Sequence, residues 1–406
     1  MPTIILDYNE EIINFLEDVN YGMNEPQFNH LATIIEGTTN IGDKVSISKI
    51  AENIVKAKDK SCISRFLSNS PWDDELLNSN RLAYIKELLN NELCSDDIGF
   101  LVIDDTVNRK NIRTKSMEAL DFHYSHSLGK PCWSHCLITS HFVRGAYSVP
   151  LQFKPYYRDI KCNELGLPFQ SKTDIAKEFI QNFDKPSKLK KIYILMDSWY
   201  TSNSLINEAL SENYHLIGGV RSNRNFYPNG NKIKISEFAN NLDPNTLDSV
   251  TVKGKEYKVY RYQGNIAQID NKALLISFEA RKDGFEKPVY ILSTDTALDN
   301  RTIIDYYSVR WNIETSYQYF KENLGLDQYR IRSRISIERY FLICFLAYTF
   351  LEVLRVSNKV LPFKTIGETI IHHKNETAKR FIRYIYYQAR QNVPLKNIYN
   401  LLKLPA

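Results

Sequence analysis

Two short apolar segments that end in aspartate constrain this chain more than any other feature of its sequence. The segment "GFLVIDDT" (99–106) ends on two aspartates, and "KKIYILMDSWY" (190–200) carries a third directly after its apolar run. Short apolar runs bounded by polar residues are typical of buried strands. A helical pattern follows the second run, in "SNSLINEALSENY" (202–214). Strands that alternate with helices predict a mixed α/β domain.

The aspartates are the first candidates for chemistry. Functional groups gather at the carboxyl ends of strands in α/β sheets, so neighbouring strands would bring Asp105 and Asp197 together. Two close carboxylates repel each other unless a proton or a cation intervenes, and Mg²⁺ prefers oxygen ligands. Adjacent side chains of a strand point to opposite faces, so only one of Asp104 and Asp105 can face such a site. The alternative is that each aspartate only begins a turn or caps a helix.

A polar stripe is predicted on a helix that runs from about residue 299 to 324. In "IDYYSVRWNIETSYQYFKENLGL", the residues Tyr307, Arg310, Glu314 and Lys321 fall within an arc of about 60° on a helix. Charged groups on an otherwise apolar stripe are costly to bury unless they are paired or bind a charged ligand. The alternative is a self-contained ion network that begins with Arg310 and Glu314 at i,i+4.

The spacing Tyr307-x2-Arg310-x3-Glu314-x6-Lys321 resembles the Y-R-E-K signature of a large class of bacterial insertion-sequence transposases. These belong to the DDE superfamily, whose catalytic core is RNase H-like. Trp311 resembles the tryptophan of the family's R-W pair, and "LVIDDT" and "YILMDSWYTS" resemble its two aspartate strands. "GGVRSN" and "YILSTD" resemble the strands that enter and leave the family's β insertion. The resemblance covers roughly residues 99–355.

The resemblance implies a DNA transposase that cleaves at transposon ends and transfers the freed strand into target DNA. It implies that Asp105, Asp197 and Glu314 are the catalytic residues and the ligands of two Mg²⁺ or Mn²⁺ ions, which would clamp the attacking and leaving oxygens. The partners of such a transposase would be double-stranded DNA, both as terminal repeats and as target, and a second copy of the chain in a synaptic complex.

Cationic side chains are the candidates for DNA contacts. Arg310 suits bidentate phosphate binding and Lys321 point-charge binding, while Tyr307 would position a phosphate or sugar. Contacts to the DNA backbone are predicted for a further set, for which a solvated surface is the alternative: Arg221, Arg330, Arg332 and Arg334.

One feature departs from the family pattern. Its best-studied members place a tryptophan in the β insertion, where it stacks on a base flipped out during hairpin formation. No tryptophan occurs between Trp199 and Trp311. Tyr290 and Phe278 are the candidates to replace it.

The predicted fold class is α/β, with an RNase H-like mixed sheet core, a β-rich insertion and flanking helical regions. We expect a helical N-terminal region (1–96), two core parts (97–223 and 299–355) around the insertion (224–298), and a C-terminal helical region (356–406). A helix over 46–58 and a second short segment could form a DNA-binding helix-turn-helix. Charge is uneven: residues 1–100 hold 8 Lys/Arg against 17 Asp/Glu, and residues 301–406 hold 17 against 8.

Composition excludes several classes of protein. An acidic N-terminus argues against a secretory signal peptide. The longest apolar run, 341–354, is too short for a membrane span and contains Glu352, so a buried helix and a cytoplasmic protein are expected. Six scattered cysteines argue against a disulfide framework. A histidine- and cysteine-rich segment, 123–141, has interleaved spacings that favour strand or pocket residues over a zinc site.

Two alternatives to an active transposase remain. Another RNase H-like nuclease would share the three carboxylates but not the tetrad spacing or the β insertion. A catalytically retired, transposase-derived DNA-binding protein should have lost at least one acidic ligand.

Overall fold

A computed structural model describes residues 4–20, 22–42, 45–92, 97–125, 128–357, 362–402 and 404. The helices are α1 (Glu10–Val19), α2 (Glu25–Asn40), α3 (Ile47–Asn53), α4 (Lys60–Ser68), α5 (Asp74–Asn91), α6 (Asp159–Leu165), α7 (Lys172–Gln181), α8 (Asn203–Ser211), α9 (Ile235–Ala239), α10 (Asn300–Ser308), α11 (Trp311–Glu322), α12 (Arg334–Ser357), α13 (Ile366–Arg390) and α14 (Leu395–Leu401). The strands are β1 (Ile98–Arg109), β2 (Asp121–Ser125), β3 (Lys130–Arg144), β4 (Tyr147–Tyr156), β5 (Lys191–Met196), β6 (His215–Gly219), β7 (Asn225–Phe226), β8 (Ile233–Lys234), β9 (Asp248–Val252), β10 (Lys255–Ile266), β11 (Ile269–Arg281), β12 (Gly284–Phe285) and β13 (Val289–Ser293).

Strand β1 occupies the centre of a mixed sheet. It pairs in parallel with β5, which pairs in parallel with β6. On its other side β1 pairs antiparallel with β3, and both β2 and β4 pair with β3. The order β3-β1-β5-β6, with helices on both faces, is the RNase H-like core that the sequence predicts.

The β-rich segment at 224–298 continues this sheet. Strand β13 pairs antiparallel with β6, β11 pairs with β13, and β10 pairs with β11. The segment therefore joins the core edge to edge, through hydrogen bonds along β6. Its predicted limits, and those of the other domains, stay predictions.

Different helices cover the two faces of the sheet. Helices α7 and α8 pack on the face that carries Leu101 and Ile103 of β1. Helices α10 and α11 pack on the face that carries Val102. Because strand side chains alternate, the two aspartates that follow in β1 must also divide between these faces.

Helix α12 is the most buried helix and joins the two ends of the chain. It packs against β4, α2, α4 and α13, and its Phe345 stacks on Phe320 of α11 at 4.8 Å between ring centroids. Its length and apolar composition would suffice to cross a membrane, but 78% of the apolar window is buried inside the protein. This burial agrees with the core helix predicted at 341–354.

Two predicted helices end elsewhere in the structure. The helix predicted over 46–58 stops at Asn53, because Ile5 hydrogen-bonds the backbone on both sides of Ile54 and holds it extended. The helix predicted from 299 to 324 is two helices, α10 and α11. Their junction is a tight turn in which the Arg310 amide donates to the Tyr307 carbonyl.

The histidine-rich segment forms parts of strands β2 and β3, as its apolar setting predicts; His126 lies outside the described residues. Tyr329 donates a hydrogen bond to Nδ1 of His135 at 2.6 Å, and Nε2 of His135 donates to the Glu118 carbonyl at 2.8 Å. His141 shares a hydrogen bond with the Ser148 hydroxyl at 2.8 Å. Burial lowers the pKa of His135 to about 4 and that of His141 to about 3. Both rings are therefore neutral at neutral pH.

Replacement of His141 by glutamine should make stability less sensitive to acid. The His141 pKa falls from 6.5 to about 3 on folding, so its stabilising contribution is complete above pH 6.5 and is lost as the pH falls towards 3. Within that window the slope of unfolding free energy against pH should become shallower by about 1.4 kcal/mol per pH unit. Urea unfolding of both proteins across the window measures this, and equal slopes would contradict the buried neutral ring.

Candidate active site

Strand β1 carries Asp104 and Asp105 into the sheet with their side chains on opposite faces. Their side chains are only 16% and 13% exposed. Asp104 lies on the face of α11, and Asp105 on the face of α7. The structure therefore brings Asp104, rather than the Asp105 favoured by the sequence, to the face that holds Glu314. The physical reason is strand alternation, which the sequence shows without showing which face α11 covers.

Arg310 connects Asp104 to the helix that carries Glu314. Its guanidinium lies 3.3 Å from Oδ2 of Asp104 and 2.7 Å from Oε1 of Glu314. Arg310 is the residue before α11, so the tight turn between α10 and α11 aims its side chain at β1. The Arg310–Glu314 ion pair, which the sequence offered as the alternative role of the polar stripe, does form. It is not self-contained, because Arg310 also contacts Asp104 of β1.

Asp197 follows the last residue of β5, next to β1. Its Oδ1 accepts hydrogen bonds from the backbone amides of Trp199 at 2.8 Å and Tyr200 at 3.0 Å, which fixes its carboxylate. Burial, with smaller contributions from the charges of Asp197 and Asp105, raises the pKa of Asp104 to about 8 against the opposing effect of Arg310. The ionised form of Asp104 is therefore disfavoured in this site, although Arg310 lies beside it.

Tyr307 lies against the same cluster. Burial raises the pKa of its hydroxyl, Arg310 lowers it, and Asp197 and Asp104 add to the rise. A β-carbon built on Gly219, at the end of β6, would lie 2.8 Å from the Tyr307 hydroxyl and 2.9 Å from the Ser198 amide. The close approach of α10 to β6 therefore requires glycine at 219.

On the opposite face Asp105 has a separate set of partners. Lys172, the first residue of α7, places Nζ 2.8 Å from Oδ2 of Asp105, and the Tyr200 hydroxyl donates to Oδ1 at 3.1 Å. Burial lowers the pKa of Lys172, but Cys136 and Asp105 outweigh that effect and raise it. Neither Lys172 nor Tyr200 is among the site residues predicted from the sequence. The Ser171–Asp174 capping box marks the start of α7, but nothing in the sequence shows that this helix start faces β1.

Lys321 and Arg221 lie at the margins of this cluster. Lys321 donates to the Val107 carbonyl at 3.1 Å, two residues beyond Asp105 on β1, and burial lowers its pKa. Arg221 is exposed, just beyond the end of β6. Of the tetrad, the structure thus gathers Tyr307, Arg310 and Glu314 at Asp104 and places Lys321 further along α11.

The arginine cluster that follows α11 divides into two kinds. Arg334 forms an ion pair with Glu338 at 2.8 Å. Arg330 and Arg332 are exposed and line a groove of about 540 Å³ together with Lys60 and Ser64 of α4. The structure therefore brings Lys60 of α4 to the predicted arginine cluster in a single groove.

The aromatic residues considered for base stacking also differ in access. Phe278 is buried, with 6% of its surface exposed, and Tyr290 is partly buried. Trp199 and Trp311 are exposed on either side of the carboxylates, and the Arg310 guanidinium lies 5.7 Å from the Trp311 ring centroid. Phe278 as placed cannot stack on a base.

The carboxylates are the oxygen ligands that a hard divalent cation prefers, but their side chains do not surround an ion in this arrangement. Among the described residues, no three Asp, Glu, His or Cys side chains are close enough together to enclose an ion as they stand. Arg310 lies between Asp104 and Glu314 and separates them. Burial and, to a smaller extent, the neighbouring carboxylates Asp197 and Asp105 raise the pKa of Asp104, and an oxygen-seeking divalent cation bound there would favour its ionised form.

Two family models match the chain. The model described as DDE superfamily endonuclease matches residues 22–237, and the model described as transposase DDE domain matches residues 170–350. No curated protein matches the chain. The two matches together span β1, β5 and α11, the elements that carry Asp104, Asp197 and Glu314.

Replacement of Gly219 by alanine should destabilise the protein where β6 approaches α10. The new methyl group would force the Tyr307 hydroxyl or the Ser198 backbone to move, and overpacking of this kind costs about 1–3 kcal/mol. Thermal unfolding measures the loss. Gly367→Ala is the matched control, since its β-carbon would meet Tyr319 at an ordinary 3.4 Å within a helix. Equal stability of the two variants would contradict the close approach at Gly219.

Proposed function

The chain belongs to the DDE superfamily of endonucleases, and from this premise we propose that it is a DNA transposase. The family matches support a transposase-type nuclease. We propose the finer activity, in which the protein cuts at the ends of a transposable element and joins the freed 3′-OH to target DNA. The observation that carries the proposal is the meeting of Asp104, Arg310 and Glu314 beside Asp197, where the parallel pairing of β1 and β5 ends.

We propose that Asp104, Asp197 and Glu314 hold the divalent ions. This replaces Asp105 by its neighbour, because Asp104 shares the α11 face with Glu314 and Asp105 does not. Two Mg²⁺ or Mn²⁺ ions bound there would supply a nucleophilic water and would stabilise the leaving oxygen of an in-line displacement. Asp105 acts as a positioning residue, since its ion pair with Lys172 fixes the part of β1 that presents Asp104.

The remaining residues of the site act on the DNA strand. The planar guanidinium of Arg310 suits a phosphate oxygen pair, and its ion pairs hold it at the reacting centre. The Tyr307 hydroxyl can donate to a phosphate or sugar oxygen next to it. Lys321, bonded to the Val107 carbonyl, would place a charge further along the strand. Exclusion of water by these buried groups strengthens each of these interactions.

Exposed cations on the surrounding surface favour DNA as the substrate. Arg330, Arg332 and Lys60 in the groove between α4 and the start of α12, together with Arg221, are proposed contacts to the backbone of double-stranded DNA. Arg334 is a weaker candidate than the sequence suggests, because Glu338 already pairs with it. Transposition needs two active sites on paired ends, so a homodimer in the synaptic complex and a cytoplasmic location complete the proposal.

The aspartate pair offers the sharpest test of the metal ligands. Asp104→Asn, Asp197→Asn and Glu314→Gln should each remove several kcal/mol of transition-state stabilisation, which lowers cleavage by on the order of a thousandfold. Asp105→Asn should cost only about 10–100-fold, as loss of an outer-shell partner does. The measurement is Mg²⁺- or Mn²⁺-dependent cleavage of a plasmid that carries the gene's own flanking DNA.

The outcomes separate the alternatives. A larger loss for Asp105→Asn than for Asp104→Asn would restore Asp105 as the ligand. Cleavage at scattered sites, without joining of ends to target, would point to another RNase H-like nuclease. Specific binding without any cleavage by the parent would point to a retired transposase.

The DNA contacts proposed for the groove between α4 and the start of α12 can be tested separately. Arg330→Gln/Arg332→Gln should weaken binding to duplex DNA of any sequence and lower the slope of log affinity against log salt by about 2. Arg334→Gln is the control, since that guanidinium is already paired with Glu338, and its slope should stay near that of the parent. Binding by fluorescence anisotropy over a salt series measures both, and a slope that is unchanged in the double variant would exclude the groove.

A further inference from the structure

The C-terminal end of the chain has an unusual charge pattern that the proposed site does not use. From Thr377 to the end, the sequence contains six lysine or arginine residues and no aspartate or glutamate. Most of these cations lie on α13 and α14. A run this one-sided is expected on a surface that meets a polyanion.

Helix α13 is anchored over its first half only. There His373 is fully buried, and its ring nitrogens lie 3.1 Å from the amide of Asn9 and 2.9 Å from that of Asn40. Arg380 adds to the contact between α13 and the N-terminal helices through an ion pair with buried Glu36 at 3.4 Å. Every residue from 378 to 390 is at least partly exposed. The second half of α13 therefore contributes no fully buried residue to the core and has one face open to solvent.

Four residues of this exposed half form one line along the helix, here called the α13 stripe: Lys379, Arg383, Tyr386 and Arg390. At about 100° per residue they fall within an arc of about 60° and extend over about 16 Å. The Arg390 guanidinium lies over the Tyr386 ring, 5.9 Å from its centroid. Lys379 pairs with Glu376 at 2.6 Å, whereas Arg383 and Arg390 have no carboxylate of the described residues within ion-pair distance.

We propose that the α13 stripe binds the sugar–phosphate backbone of duplex DNA at a distance from the active site. The inference rests on the proposed function, in which DNA is the substrate. Unpaired arginines gain affinity on a phosphate backbone through the release of condensed counterions. The Tyr386 hydroxyl adds a donor to phosphate oxygens, a common positioning contact in protein–DNA interfaces.

The direction of α13 fits this ligand. A β-carbon built on Gly367, near the start of the helix, would lie 3.4 Å from the ring of Tyr319 of α11, so α13 begins beside the helix that carries Glu314. From Gly367 to Arg390 the helix extends about 35 Å. One turn of duplex DNA spans about 34–36 Å. A duplex that runs from α11 along α13 would present its backbone again at the far end of α13.

The arrangement of apolar residues argues against a lipid surface as the ligand. A helix that lies on a membrane presents a broad apolar face opposite its charged face. On α13, the side opposite the stripe carries Ile370 and Thr377, which are buried in the protein. Exposed Ile371 and Ile382 flank the stripe on one side only.

The test compares two double variants of the full chain that remove the same charge. Arg383→Gln/Arg390→Gln should lower the slope of log affinity against log salt by about 2 for a short labelled duplex of random sequence, in metal-free buffer. Lys185→Gln/Lys188→Gln is the control, because these exposed lysines precede β5 at the end of the sheet opposite Asp197. Its slope should equal that of the parent.

Parallel measurements separate this proposal from the proposed function. If the parent binds and cleaves DNA but Arg383→Gln/Arg390→Gln keeps the parent slope, the stripe is not a DNA contact, and the function proposed for the active site stands. If the parent does not bind DNA, both proposals fall. Loss of binding to anionic phospholipid vesicles with DNA binding unchanged would assign the stripe to lipid. A changed mass in sedimentation would assign it to a contact between copies. Either result overturns the proposal.

Discussion

The need to neutralise two adjacent buried aspartates organises the centre of this protein. Strand β1 carries Asp104 and Asp105 into opposite faces of the sheet, and a carboxylate removed from water requires a nearby counter-charge. Arg310 meets Asp104 from one face and Lys172 meets Asp105 from the other. These two cations come from segments far apart in sequence, so the folding of the candidate site depends on both helical layers.

The two pairs have different consequences. The Lys172–Asp105 pair, with the Tyr200 hydroxyl on the second oxygen, is self-contained and fixes β1. On the other face, one guanidinium is shared between Asp104 and Glu314, and burial together with the charges of Asp197 and Asp105 keeps the pKa of Asp104 high despite Arg310. Chemistry is expected on the face that carries Asp104, since perturbed carboxylates gather at functional sites.

The helices around the sheet hold these aspartates in place and carry the exposed cations that are proposed to bind DNA. Helix α12 packs between the N-terminal helices and β4, which makes the acidic N-terminal region part of the same core. That packing brings Lys60 of α4 to Arg330 and Arg332, and buried His373 ties α13 to α1 and α2. Exposed cations thus lie both in the groove between α4 and the start of α12 and on the second half of α13, two surfaces that a long polyanion could contact.

The sequence by itself determined the element types, the α/β class and the tetrad, because apolar periodicity and strand-end aspartates are local signals. It left open which of Asp104 and Asp105 faces Glu314, since that depends on which side of the sheet α11 covers. It also could not reveal Lys172 or the break between α10 and α11, because long-range contacts and a local turn override helical periodicity there. Only the tertiary structure decided the face, and with it the carboxylate that shares Arg310 with Glu314.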